Sequence, residues 1–134
     1  MPALAFALAL VLLVTGSAAS AQTVPAPTTP DPQALVGEWA GVATRIAARA
    51  GAARGASMLT IEKVEGGKVY GRADMRGDGL PSSFVGMFRG NTLTFYTGRF
   101  ETNLTLEGKR LYGLRRAGAD NDNDGLGLDK IEKK

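Results

Sequence analysis

The sequence predicts an all-β domain, a small antiparallel up-and-down meander or barrel of about seven to eight strands. Three observations carry this. Short stretches rich in β-branched, aromatic and threonine residues begin at Val36, glycine-containing turns recur about every ten residues, and Phe100, Thr102, Leu104 and Leu106 alternate with Glu101, Asn103 and Thr105. Such alternation buries one face of a sheet and wets the other.

The strands expected are 37–46, 57–64, 68–75, 82–88, 92–97, 100–106 and 110–116. Glu65-Gly66-Gly67, Arg89-Gly90-Asn91 and Glu107-Gly108-Lys109 supply the positive-φ residues that tight hairpins require. The segment 43–56 is ambiguous. Arg45 and Arg49 stand at helical spacing among alanines, but Gly51 and Gly55 oppose a long helix, so a loop or a single helical turn over one barrel end is expected. In 82–88, Phe84 and Phe88 share one face while Val85 and Met87 make the other apolar too, as in a strand covered on both sides or at a contact surface. Gly41, Gly71, Gly86 and Gly113 lie inside strands, where glycine is favoured by a sharp bend or a close backbone approach. Closing a small barrel creates that need. Leu59-Thr60-Ile61-Glu62, a glycine turn and Val69-Tyr70-Gly71 are echoed by Leu104-Thr105-Leu106-Glu107, a glycine turn and Leu111-Tyr112-Gly113. Duplication and convergence of similar hairpins account for the echo equally well.

Four segments are expected along the chain: a signal peptide 1–21, a Pro-rich linker 22–34, a β-barrel domain 35–116 and an acidic, disordered tail 117–134. The uncharged run from Pro2 to Val14 is short against the roughly 20 residues a membrane-spanning helix needs, and Ala19-Ser20-Ala21 supplies a small-x-small cleavage pattern. No Lys or Arg precedes the run, so the α-amino group or an upstream start supplies the positive charge. The expected location is periplasmic or secreted, with no transmembrane segment after cleavage. Thr23 to Pro32 holds four prolines and reads as a tether. The formal charge of +3 divides unevenly: the body is basic, whereas the tail holds Asp120, Asp122, Asp124, Asp129 and Glu132 against Lys130, Lys133 and Lys134. Nucleic acid is not an expected partner for an exported chain of such modest charge.

The chain contains no histidine and no cysteine. That removes Ser-His-Asp triads, imidazole bases, thiol nucleophiles, disulfides, lipoprotein anchors and the usual zinc sites. Asp74, Asp78 and Glu101 are the remaining candidates for a carboxylate pair, and each lies beside a predicted turn or on a polar strand face, where solvated surface charge is the expectation. No catalysis and no organic cofactor is expected. Asp120, Asp122 and Asp124, followed by Gly125, match positions 1, 3, 5 and 6 of a calcium loop, but loop position 12 is Ile131 instead of a glutamate. Calcium and a disordered acidic terminus are the two readings of that run. Arg76-Gly77-Asp78 reads as a β-turn.

Gly37-Glu38-Trp39 opens the first strand, and a Gly-x-Trp there followed by an antiparallel meander resembles the calycins, the lipocalin and avidin-like up-and-down barrels. The resemblance implies that Trp39 closes one end of the barrel with a basic side chain from near the last strand, Arg115 or Arg116, packed over it. It transfers no ligand; the chain is short for a lipocalin and has a single tryptophan. The functional expectation is a non-catalytic, exported binding protein of the bacterial envelope, carrying a small hydrophobic ligand. Leu59, Ile61, Val69, Met75, Phe84, Phe88, Leu93, Phe95, Phe100 and Leu104 line the barrel or simply fill it. The alternative is a solid-core interaction or structural module that binds an envelope protein or polymer on an outer face around Val85, Met87 and Tyr96.

Overall fold

A computed structural model describes residues 23, 25, 28–47, 51–75, 81–117 and 122–134. The expected signal peptide and Arg76-Gly77-Asp78 lie outside the described residues, as do Gln22, Val24, Ala26 and Pro27 of the expected linker and Asp120. The architecture is a closed barrel of eight antiparallel strands in chain order: β1 Gly37–Ala47, β2 Gly51–Glu65, β3 Lys68–Asp74, β4 Ser82–Arg89, β5 Thr92–Thr97, β6 Phe100–Glu107, β7 Arg110–Ala117 and β8 Asp122–Lys130. Among the described residues no helix is long and apolar enough to cross a membrane.

Seven of the strands fall where alternation and turn chemistry place them. Gly66, Gly67, Gly90 and Gly108 adopt positive φ of 56°, 80°, 62° and 59° in the three expected turns. Two segments depart from expectation. The stretch read as a loop or helical turn, 43–56, is instead the far end of a long hairpin, with Ala43 paired to Gly55 and Ala47 to Gly51. Pairing of Trp39 to Arg45 with β8 on the other side holds this alanine-rich stretch extended against its helical propensity. The residues read as a disordered acidic tail supply β8, which pairs with β7 from Arg110 to Ala117 and with β1, and so closes the barrel.

The inward parity follows from closure. Trp39, Leu59, Val69, Leu93, Phe95, Leu104, Leu111 and Leu128 are each 0% exposed, so no water-sized void borders them and the middle of the barrel is filled. Phe84 and Phe95 stack inside it with ring centroids 4.0 Å apart. A register shift between Ile61 and Lys63 turns β2 so that Ile61 and Val64 both face the core. Gly41 and Gly113 show why glycine stands in these strands. A Cβ on Gly41 would meet the Gly127 carbonyl oxygen at 1.8 Å, and one on Gly113 would meet that of Asn103 at 1.9 Å. Neighbouring backbones cross these positions at contact distance, as tight curvature demands.

One end of the barrel is plugged. Asp31 caps a 3-10 turn, Pro32–Leu35, through a 3.0 Å bond from the Gln33 amide, with Pro32 at its start. Leu35 is fully buried, the Trp39 indole N–H donates to its carbonyl at 2.9 Å, and the Gln33 side-chain amide donates to the Val64 carbonyl at 3.0 Å. The last residues of the expected linker are thus the lid of the closed end.

Candidate binding site at the open end of the barrel

The opposite end is built from different chemistry. Six of the strands exchange their inward apolar series for polar residues there, Arg45 on β1, Ser57 on β2, Thr97 on β5, Thr102 on β6, Arg115 on β7 and Asp124 on β8, while β3 keeps the buried Ala73. Asp124 is 0% exposed. The cross-strand register sets it opposite both Arg45 and Arg115. Its carboxylate accepts from Arg45 Nε at 2.9 Å and from Arg115 Nη1 at 3.2 Å. A carboxylate removed from water needs such charged donors, and here two cations share one anion. The Arg115 guanidinium also lies 3.6 Å from the centroid of the Phe100 ring, within cation–π range, and Arg99 lies 5.3 Å from the same ring.

Beside this cluster opens a cavity of about 350 Å³, bordered by Ala73, Asp74, Met75, Ser82, Thr97, Gly98, Arg99, Phe100 and Arg115. That volume lies within the range of small-molecule pockets. Its polar wall is incompletely satisfied. Asp74 Oδ1 and Thr97 Oγ1 are buried and accept or donate no hydrogen bond among the described residues, and Thr102 Oγ1, 0% exposed and on the same inward face of the neighbouring strand, is in the same condition. Native proteins leave few buried polar atoms without partners, and several together mark a place where water or a ligand completes the set.

Of the ten side chains expected to line or fill the interior, Met75 and Phe100 border this cavity, while Leu59, Ile61, Val69, Phe84, Phe88, Leu93, Phe95 and Leu104 lie in the core. Trp39 is fully buried at the capped end, its indole N–H on the Leu35 carbonyl. The cation over its ring is Lys130, with Nζ 5.4 Å from the centroid and donating to the Ala34 carbonyl at 2.6 Å. Arg115 belongs to the other end and Arg116 is exposed. The reason is the strand count. The sequence reading ends the barrel at β7, whereas the last strand is β8, and Lys130 pairs directly with Trp39 across it.

The calcium reading is corrected on the same ground. Asp122 and Asp124 stand in an extended strand, in which nine residues span roughly 30 Å, so loop positions 3 and 12 cannot close around one ion. Asp124 is committed to two arginines. Among the described residues no cluster of three or more carboxylates is placed to hold a metal. Of the carboxylate candidates, Asp74 borders the mouth. Glu101 lies on β6, where it accepts from the side chains of Asn103 at 2.7 Å and Tyr96 at 3.1 Å. Asp78 lies outside the described residues.

Sequence reasoning missed Thr97, Arg99 and Ser82 as members of one site. A signal was present for Thr97, which continues the inward series Leu93, Phe95 at the end of its strand with a polar residue. Comparison with protein-family models, curated proteins and solved structures finds no match to this chain.

Proposed function

We propose that this chain is an exported, non-catalytic binding barrel of the bacterial envelope, periplasmic or secreted, that holds a small ligand at its open mouth. The observation that carries the reading is the 350 Å³ cavity at one end of a barrel that is filled elsewhere, with Asp74 and Thr97, each holding a buried oxygen without a hydrogen-bond partner among the described residues, in its wall. The apolar middle supports only the inner part of a ligand, through Met75 and Phe100. A long hydrophobic chain buried to the depth of Trp39 would have to displace core side chains, at a cost of the order of kilocalories each. Absence of histidine and cysteine supports the non-catalytic side of the reading, and the Trp39–Lys130 pair supports kinship with the calycins. Native mass spectrometry of the protein isolated from its host without detergent tests it. A reproducible additional mass released on denaturation is the expected result; a bare protein mass from several preparations overturns it.

A second reading, the solid-core interaction module, is favoured by the outer wall. Val85 is 61% exposed and Tyr96 60%, with Met87 beside them on β4. Capture of an envelope protein that Val85→Asp or Met87→Asp abolishes, in a variant that still unfolds cooperatively, would support this reading. Unchanged capture would remove it.

A further inference from the structure

The strands of the barrel do not all present the same outer surface. On β2 and β3 outward positions are charged and paired, Arg72 with Glu62 and Lys63 with Glu65. Four of the eight large hydrophobic side chains exposed among the described residues, Val42, Met58, Tyr112 and Leu114, stand instead on β1, the adjoining part of β2, and β7. β8 runs between β7 and β1, and at the level of Tyr112 and Leu114 it gives the outer face only Gly127 and Gly125. The register fixes this relief: Tyr112 pairs with Gly127 and Gly127 with Val42, Leu114 with Gly125 and Gly125 with Thr44. Two bulky side chains thus flank a floor that has none. A Cβ on Gly125 would meet nothing nearer than the Thr44 carbonyl oxygen at 3.9 Å, so the floor there is open. Over Gly127 rests the flexible end of Arg110, with Nη2 3.4 Å from where a Cβ would stand. Charge returns at the border, with Arg110 and Asp129 at one end and Arg116 at the other. An uncharged patch rimmed by charge has the anatomy of a protein interface.

The patch is complementary to itself. A two-fold axis parallel to the strands, lying in the plane of contact between β7 and β8, sets β7 of one copy on β8 of the other in matching register. Tyr112 then covers the partner's Gly127, Leu114 covers the partner's Gly125, and Arg110 meets the partner's Asp129, each pair occurring twice. Bulk lies on glycine and cation on anion. We propose that this chain forms a two-fold dimer through the outer face of β7 and β8. Arg110 turns from Gly127 to the partner's Asp129, a side-chain change of a kind common at interfaces. Eight residues along the strands and four strands across, β6 to β1, amount to roughly 500 Å² per copy, near the lower limit of specific interfaces. Association is therefore weak and concentration-dependent. This face lies four strands from Val85 and Met87 and is separate from the mouth.

Sedimentation velocity of the full processed chain, from about 1 μM to about 1 mM, tests this. A monomer that passes reversibly to a dimer as concentration rises is expected. Leu114→Asp and Gly125→Lys should each weaken association about tenfold or more, the first by burying a charge at the contact and the second by filling the floor. Both positions face outward, so thermal unfolding of the dilute variants should match that of the dilute parent. Arg110→Asp or Asp129→Arg alone should also weaken association about tenfold or more, and the two together should restore it, because the reversed charges meet again across the axis. Regained dimer in the double variant is a result that a folding defect does not produce. A chain that stays monomeric up to about 1 mM overturns the proposal. So does a dimer that survives both Leu114→Asp and Gly125→Lys, which would put the contact on another wall, and so does one indifferent to reversal of Arg110 or Asp129.

Discussion

The two ends of this barrel solve the same problem with opposite means. Each must seal a filled apolar interior against water. The end at Trp39 does so with hydrocarbon: Leu35 and Trp39 are fully buried, the side chains of Gln33, Trp39 and Lys130 donate to backbone carbonyls, and the Lys130 ammonium lies beside the indole ring on Ala34. The end at Asp124 does so with charge, sinking one carboxylate between two guanidiniums and leaving a cavity with unsatisfied oxygens beside them. A plug made of apolar contacts serves only stability. A cluster of buried ions is a weak source of stability, since desolvation offsets much of the attraction, and its presence in one place argues for a use.

The largest expected effect tests that contrast at the charged end. Asp124→Leu leaves Arg45 and Arg115 facing an uncompensated apolar surface and should cost about 3–5 kcal/mol in denaturant unfolding. Adding Arg45→Met and Arg115→Met to it should restore most of that loss, because an apolar triple has no charge to desolvate. A triple variant as unstable as the single one would mean that the ions hold the end of the barrel together and that the distinction between the two ends is false.

The wall that connects the ends gives the next test. Gly113→Ala sets a Cβ 1.9 Å from a backbone oxygen that no rotamer change can move, so the strands must part, at about 1–3 kcal/mol or more. Gly127→Ala, on the outer face of β8, meets only the flexible end of Arg110 at 3.4 Å and should stay within about 0.5 kcal/mol of the parent. Thermal unfolding of the pair separates curvature that requires glycine from glycine that is merely present.

How much of this the sequence discloses follows the same division. The apolar end is legible, because Gly-Glu-Trp, the strict alternation of 100–106 and the glycine turns are local signals with one reading each. The charged end is not, since its members come from all eight strands and acquire meaning only by cross-strand register. Asp124 reads as part of an acidic, hydrophilic run, and nothing within a few residues of it announces that Arg45, 79 positions away, will accept it as a partner. The strand that carries it is equally concealed. Asn123, Gly125 and Gly127 give its outer face the composition of a loop, and only Leu126 and Leu128 declare the buried one. Without β8 the basic partner of Trp39 is read as Arg115 or Arg116 in place of Lys130.

Lys130 provides a smaller test of the apolar end. Lys130→Met keeps the hydrocarbon stem over the indole but removes the ammonium from both the ring and the Ala34 carbonyl, a change of about 0.5–2 kcal/mol. Indole fluorescence and unfolding in the same titration read it. If the variant is as stable as the parent, packing alone closes this end and the charge on Lys130 is incidental there.

The least costly charge on the barrel sharpens the comparison from the outside. Glu101 on the outer wall accepts from Asn103 and from the Tyr96 hydroxyl, and these two bonds hold its carboxyl below the ordinary glutamate range; the same Glu101 contact pushes Tyr96 above its ordinary value. The signs are opposite. A depressed carboxyl contributes stability that is present above the ordinary range and is lost as pH falls through its lower folded value, whereas the raised phenol contributes below about pH 10 and loses it as pH rises through its higher one. Tyr96→Phe should therefore move the Glu101 titration only part of the way back, since Asn103 acts first and remains, and Asn103→Ala should move it further. Carboxyl chemical shifts followed through acid pH measure both. Because Glu101 is solvated where Asp124 is not, neither variant should change the unfolding midpoint at neutral pH by more than a surface hydrogen bond does, and that contrast with Asp124→Leu is what separates a carboxylate resting on the wall from one built into the end of the barrel.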